Sequence, residues 1–146
     1  MKKGLLMGLV LTTSAVVLSG CSTSTTQKLT CTQKSTYDGY TSEVTKKIDF
    51  KNYNITKVTE KRVINLSGDK TQFFNDYKSF SEKTIEQYKA INGIDVKSDS
   101  NGSTEVTTTI TYNSDKMSVN DKELYSMNEN YDSIKDKLTE QGYTCK

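Results

Sequence analysis

The sequence predicts an α+β domain: an antiparallel β-sheet with two helices packed on one face, in the element order βββαββα. Three observations predict it. Residues 29–66 alternate apolar and polar side chains, broken by turn residues at Asp38-Gly39 and Lys51-Asn52. Residues 70–92 abandon that alternation for apolar residues at helical spacing. Alternation returns at 104–112, ahead of a last short helical segment.

A first strand is expected over Leu29 to Ser35, with Asp38-Gly39 as a hairpin turn. The second runs from Tyr40 to Phe50 and places Val44, Ile48 and Phe50 on one face. The third runs from Tyr53 to Leu66, with Val58, Arg62, Ile64 and Leu66 at one parity; its length predicts a bulge or bend. The helix over Lys70 to Asn92 carries a stripe through Phe73, Phe74, Tyr77, Phe80, Thr84, Ile85, Tyr88 and Ile91. Asp69 is its expected N-cap, with Gln72 at the reciprocal capping-box position, and Asn92-Gly93 its stop. A buried side chain of this size stabilises by ~1.5–3 kcal/mol, so the stripe is expected to be the largest contribution to the core. The sharper alternative is an aromatic ligand groove along the same residues.

Ile94 to Lys97 and Thr104 to Tyr112 read as a hairpin around Ser100-Asn101-Gly102. In its second strand Val106, Thr108, Ile110 and Tyr112 share a face. Thr107, Thr109 and Thr111 form the other, a solvated surface that is a weak candidate for an envelope partner or sugar. Residues 113–127 are polar and turn-rich, with Met117 and Val119 as candidate strand residues. The last helix is expected over Glu129 to Gln141, capped by Asn128, with Tyr131, Ile134 and Leu138 facing inward. Gly142-Tyr143 has the form of a Schellman stop.

Residues 1–20 read as a lipoprotein signal peptide. Lys2 and Lys3 are a positive n-region, Leu5 to Leu18 a short apolar run, and Leu18-Ser19-Gly20-Cys21 has the form of a lipobox. Cys21 is the expected lipidation residue, residues 21–28 a Ser/Thr-rich flexible tether, and residues 29–146 a single domain. The expected location is extracytoplasmic, held to the bacterial cell membrane by a diacylglyceryl-cysteine, or to the outer membrane in a Gram-negative host.

Composition narrows the chemistry. Lys2 and Lys3 account for the whole formal charge of +2, so the mature chain from Cys21 is neutral and nucleic acid is not an expected partner. The chain has no His, no Trp and no Pro, and Arg62 is its single arginine. Without His there is no Ser-His or Cys-His nucleophile pair and no His-based zinc site. No cofactor and no metal are expected. With Cys21 lipidated, Cys31 and Cys145 remain, and a disulfide between them would tie together the two ends of the domain. Two free thiols or a redox role are the alternatives, though there is no C-x-x-C.

Other acidic groups have simpler readings. Asp95, Asp99, Asn101 and Glu105, and later Asn113, Asp115, Asn120, Asp121 and Glu123, do not keep EF-hand spacing and suit polar turns. Glu43, Asp49 and Glu60 could serve glycoside hydrolysis only by converging in a cleft. Lys78, Glu82 and Glu86 are placed for i,i+4 surface pairs. The sequons at Asn54, Asn65 and Asn101 read as chance in a bacterial lipoprotein.

The strand pair over Thr45 to Leu66 with its run KVTEKRVINL, the helix ending YKAINGI, the strand TTTITYN and the closing IKDKLTEQGY resemble the YehR-like bacterial lipoproteins across residues 36–143. The resemblance implies a lipid-anchored α+β domain of no established activity and transfers no functional residue. The expected function is that of a non-enzymatic binding or envelope structural module, with an envelope protein or glycan as partner. No catalytic residue is expected, and the ligand-binding residues are unknown from sequence. A small envelope hydrolase or thiol-redox protein is the alternative.

Overall fold

The structure is a computed structural model and describes residues 24–67, 71–102 and 104–146. The expected signal peptide, Cys21 and the Asp69 cap lie outside the described residues. β1 (Thr26–Tyr37) and β2 (Tyr40–Lys51) pair antiparallel from Thr26↔Lys51 to Tyr37↔Tyr40. The turn between them is Asp38-Gly39, with Gly39 at φ 85°. β1 begins at Thr26, so Thr26, Gln27 and Lys28 belong to the sheet rather than to the expected tether.

β3 (Asn54–Leu66) returns along β2 with the bulge its length implies. Asp49 faces Lys57 and Phe50 faces Ile55, which leaves Thr56 unopposed, its hydroxyl donating to the Asp49 carbonyl at 3.1 Å. The extra residue switches parity, so Ile55, Val58 and Ile64 all turn toward one face although their numbers do not alternate.

α1 (Thr71–Lys89) leads through Gly93, at φ 88°, into β4 (Ile94–Asn101) and β5 (Glu105–Asn113). An added methyl on Gly93 would stand 2.7 Å from Met117 Cγ, so this corner needs glycine for space as well as for φ. A 3-10 turn (Ser114–Lys116), α2 (Val119–Leu124), α3 (Tyr131–Glu140) and β6 (Thr144–Cys145) complete the chain. The sheet order is β4-β5-β3-β2-β1-β6, with the helices on one face, so the α+β expectation holds.

Several local expectations are corrected. Val119 is not a strand residue: it opens α2 and is exposed, because Ser118 caps a helix there, accepting from the Asp121 amide at 3.1 Å. Met117 is buried in the loop before it. α3 is capped by Asn130, not Asn128; the Asn130 side chain accepts from the Ser133 amide at 2.9 Å. Its end is the expected Schellman pattern, with Gly142 N–H on Thr139 O and Tyr143 N–H on Leu138 O. Gln72 bonds Asp76. Glu86 pairs with Lys89 rather than taking part in the expected Lys78–Glu82–Glu86 series.

The largest correction concerns the core. Its main buried cluster is Leu29, Cys31, Ile48, Phe50, Ile55, Ile94, Met117, Met127 and Leu138, with no fully buried residue from α1. Phe74 is buried elsewhere, while Phe80 is 62% exposed and Phe73 borderline. The reason is what the stripe meets: beside Tyr77 and Phe80 the sheet presents Glu60, Arg62 and Thr108 along with Ile110 and Tyr112, a mixed surface rather than a continuous apolar one. α1 packs Tyr88 against the edge of the main cluster and is also joined to the sheet by hydroxyls. Ser81, 2% exposed, donates to Ser98 at 2.8 Å and, its one hydrogen so used, accepts from Thr108 at 3.0 Å.

Cys31 and Cys145 are joined in a disulfide that spans 114 residues of sequence. Thr30 and Lys146 exchange both backbone bonds, at 3.0 and 2.9 Å, which makes Cys31 and Cys145 the adjacent non-hydrogen-bonded pair, where side chains stand closest. The chain-entropy model gives about 4–5 kcal/mol for a loop of this size. Reduction of the purified domain is therefore expected to lower Tm by on the order of 15 °C. Alkylation under denaturing conditions should add two groups only after reductant; two groups added without it would exclude the disulfide.

Candidate functional site

Alternation on β2 and β3 puts three charged residues on the same sheet face as the core. Lys46 lies between Val44 and Ile48, both buried, while Glu60 and Arg62 lie between Val58 and Ile64. Lys46 and Glu60 are cross-strand partners 3.1 Å apart, and Arg62 reaches the same carboxylate at 3.4 Å. Glu60 is thus held between two cations, and the Arg62 side chain stays 45% exposed.

The helices leave this stripe open. On one side a hollow of about 270 Å³ lies between α1 and the sheet, floored by Glu60, Arg62, Thr108 and Tyr112 and walled by Tyr77 and Phe80. Glu60 and Tyr112 also border a second hollow against Tyr125 and Met127. Lys46, Val58 and Tyr125 continue that into a third beside Ile134 and Leu138 of α3. The three hollows share wall residues and lie in a row across the sheet between α1 and α3, a row termed the cleft below.

Aromatic rings line the cleft and extend from it. Tyr112 and Tyr88 both pack on Tyr125, with ring centres 5.3 and 6.2 Å away. From Tyr77 a ladder runs outward through Phe73 at 6.4 Å, Tyr40 at 4.9 Å from Phe73, and Tyr37 at 4.6 Å from Tyr40. Phe80 is tilted against Tyr77 on the opposite side. Rings stacked this way leave flat apolar faces beside polar groups.

The hydroxyls here are held protonated. Burial pushes Tyr112 well above the usual phenol range, and Tyr88 and Glu60 nearby push the same way. Burial also raises Tyr77, against the opposing pull of Arg62, and burial raises Tyr125. The Tyr77 and Tyr112 side chains and the half-exposed Arg62 guanidinium line the hollow, while its central carboxylate is engaged by Lys46 and Arg62. The arrangement suits a ligand rich in acceptor oxygens.

The sequence candidates fall as follows. Glu43 and Asp49 are on the helix-free face, opposite to Glu60, so these three carboxylates do not converge. Among the described residues no three Cys, Asp or Glu gather as a metal site. Thr107, Thr109 and Thr111 stand on the helix-free face, where Thr109 joins Thr45, Thr59 and Lys61 around a hollow of about 300 Å³. The α1 stripe is brought to the cleft through Tyr77, Phe80, Thr84 and Tyr88. Lys46, Glu60, Arg62, Tyr112 and Tyr125 were not expected as a group. Their signal in the sequence is charge at the inward parity of two adjacent strands.

No family model and no curated protein matches the chain. A protein from Streptococcus pneumoniae TIGR4, solved by NMR, is similar in structure: TM-score 0.58 at 14% identity, covering 100% of each chain. That likeness is one of fold.

At the α3 end of the cleft, Glu129 accepts from Lys137 and from Ser133, and these bonds hold its carboxyl below its ordinary 4.5. A lowered folded-state value contributes stability that is present above the unfolded pKa and lost as pH falls through the folded one. Glu129→Gln should therefore flatten the decline of Tm on acidification from about pH 6 to about pH 3. An unchanged acid slope in this variant would show that Glu129 does not contribute to it.

Proposed function

We propose that this chain is a lipid-anchored envelope protein that binds an oxygen-rich ligand, an envelope glycan foremost, without transforming it. The observation that carries the reading is the Lys46–Glu60–Arg62 stripe, left open between two helices on a face that folding would otherwise cover with apolar residues. Aromatic faces at Tyr77 and Phe80 beside hydroxyl and guanidinium donors are the combination that receives sugar rings and their oxygens. The lipobox at Leu18 to Cys21 supports the address, and kinship with the YehR-like lipoproteins belongs to the same proposal. Among the described residues no helix is long and apolar enough to cross a membrane; in this reading the attachment is the lipid on Cys21. A thiol-redox role has less support, because Cys31 is fully buried and bonded to Cys145.

Photo-crosslinking in intact cells tests the reading. A photoreactive residue at Phe80, on the cleft rim, should give a discrete envelope adduct, and Arg62→Ala should reduce it at least several-fold. The same residue at Thr109, on the helix-free face, should give none. Adducts from Thr109 alone would move the working surface to the other side of the sheet. Labelled palmitate should enter the protein and be lost in Cys21→Ser.

A further inference from the structure

Two hairpin connections put a glycine where the backbone is left-handed: Gly39 at φ 85° and Gly102 at φ 61°. The β2–β3 turn does not. There Asn52 has φ 51° and Tyr53 has φ 68°. A two-residue hairpin turn with both φ angles positive favours Asn-Gly, and a bulky ring in that conformation is an outlier. Packing does not account for it, since Tyr53 is 66% exposed. A strained residue that turns its ring to solvent points to a contact outside the fold.

The position of this turn says what the contact is. The Asn52 amide donates to the Thr25 carbonyl at 2.9 Å, so the turn is fastened to the chain just ahead of β1. Thr25 is four residues beyond Cys21. Four residues span at most about 14 Å, so a lipid on Cys21 keeps the turn within reach of the headgroup layer. The surroundings fit that layer. Lys51 is exposed beside the turn, and Lys28 and Lys57 flank Asp49 in register, which leaves a local excess of positive charge. Tyrosine, with an apolar ring and a polar tip, is a side chain enriched at the membrane–water interface.

We infer that the Lys51–Asn54 turn rests on the bilayer surface, with Tyr53 at headgroup level, and fixes how the domain stands on the membrane. The inference rests on the lipid anchor at Cys21. β2 has twelve residues, so the opposite end of the sheet is held roughly 40 Å away. That end carries Tyr37, Tyr40 and Phe73, which directs the aromatic ladder away from the membrane and toward the rest of the envelope.

The chain has no tryptophan, so single substitutions report one position each. Full-length lipidated Tyr53→Trp and Tyr37→Trp are placed in vesicles of equal phosphatidylglycerol and phosphatidylcholine with brominated acyl chains. Tyr53→Trp emission should shift to the blue and be quenched at least twofold, with Tyr37→Trp unaffected. Equal emission from both positions in vesicles that carry the protein on flotation would overturn the orientation while leaving the anchor in place. Failure of the protein to float with vesicles would overturn the anchor, and the orientation with it.

Discussion

Three charged side chains on the inward parity of the sheet constrain how everything else can pack. Lys46, Glu60 and Arg62 interrupt a face of β2 and β3 that carries Val44, Ile48, Phe50, Ile55, Val58 and Ile64 on either side of them. Covering them with a helix would take partly hydrated ions out of water, at a cost of several kcal/mol per ion. The chain avoids that by parting its helices. α3 and the segment before it close over Ile48, Phe50 and Ile55, while α1 stands over β4 and β5, tied there by Ser81, Ser98 and Thr108. The cleft is what remains between them, and the exposure of Phe80 follows from the same constraint.

The division has a structural consequence. With α1 outside the main cluster, that cluster draws on residues far apart in sequence, from Leu29 to Leu138. The last residues of the chain pair with β1 beside it, and the Cys31–Cys145 link keeps that pairing closed. A domain of this size with a divided core gains from such a link, because it limits the unfolded chain without asking more apolar surface of the fold.

Much of the fold was legible because it rests on local rules. The Asp38-Gly39 turn, the period-two face of Val44, Ile48 and Phe50, the helical spacing after residue 70 and the Schellman stop at Gly142 each depend on neighbours in sequence. The bulge was foreseeable from strand length, although its position at Thr56 was not, because only pairing with Asp49 and Phe50 fixes it. α2 escaped because six residues without an apolar stripe have no periodic signal; only Ser118 and Asp121 mark its start. The cleft was the least legible part. Arg62 was visible as an inward-parity residue, but its meaning depends on Lys46 and Glu60 arriving from an adjacent strand and on α1 standing aside.

In the proposed function the charged stripe is kept for binding and not for stability. That reading is tested most directly by replacing the stripe, in Lys46→Met, Glu60→Leu and Arg62→Met together, and comparing denaturant midpoints with the parent domain. A charge cluster retained against the packing preference of its surroundings gives an unchanged or raised midpoint when exchanged for apolar residues of similar volume. A lower midpoint at unchanged slope, equivalent to a loss of several kcal/mol, would mean that the stripe holds the fold together and is kept for stability.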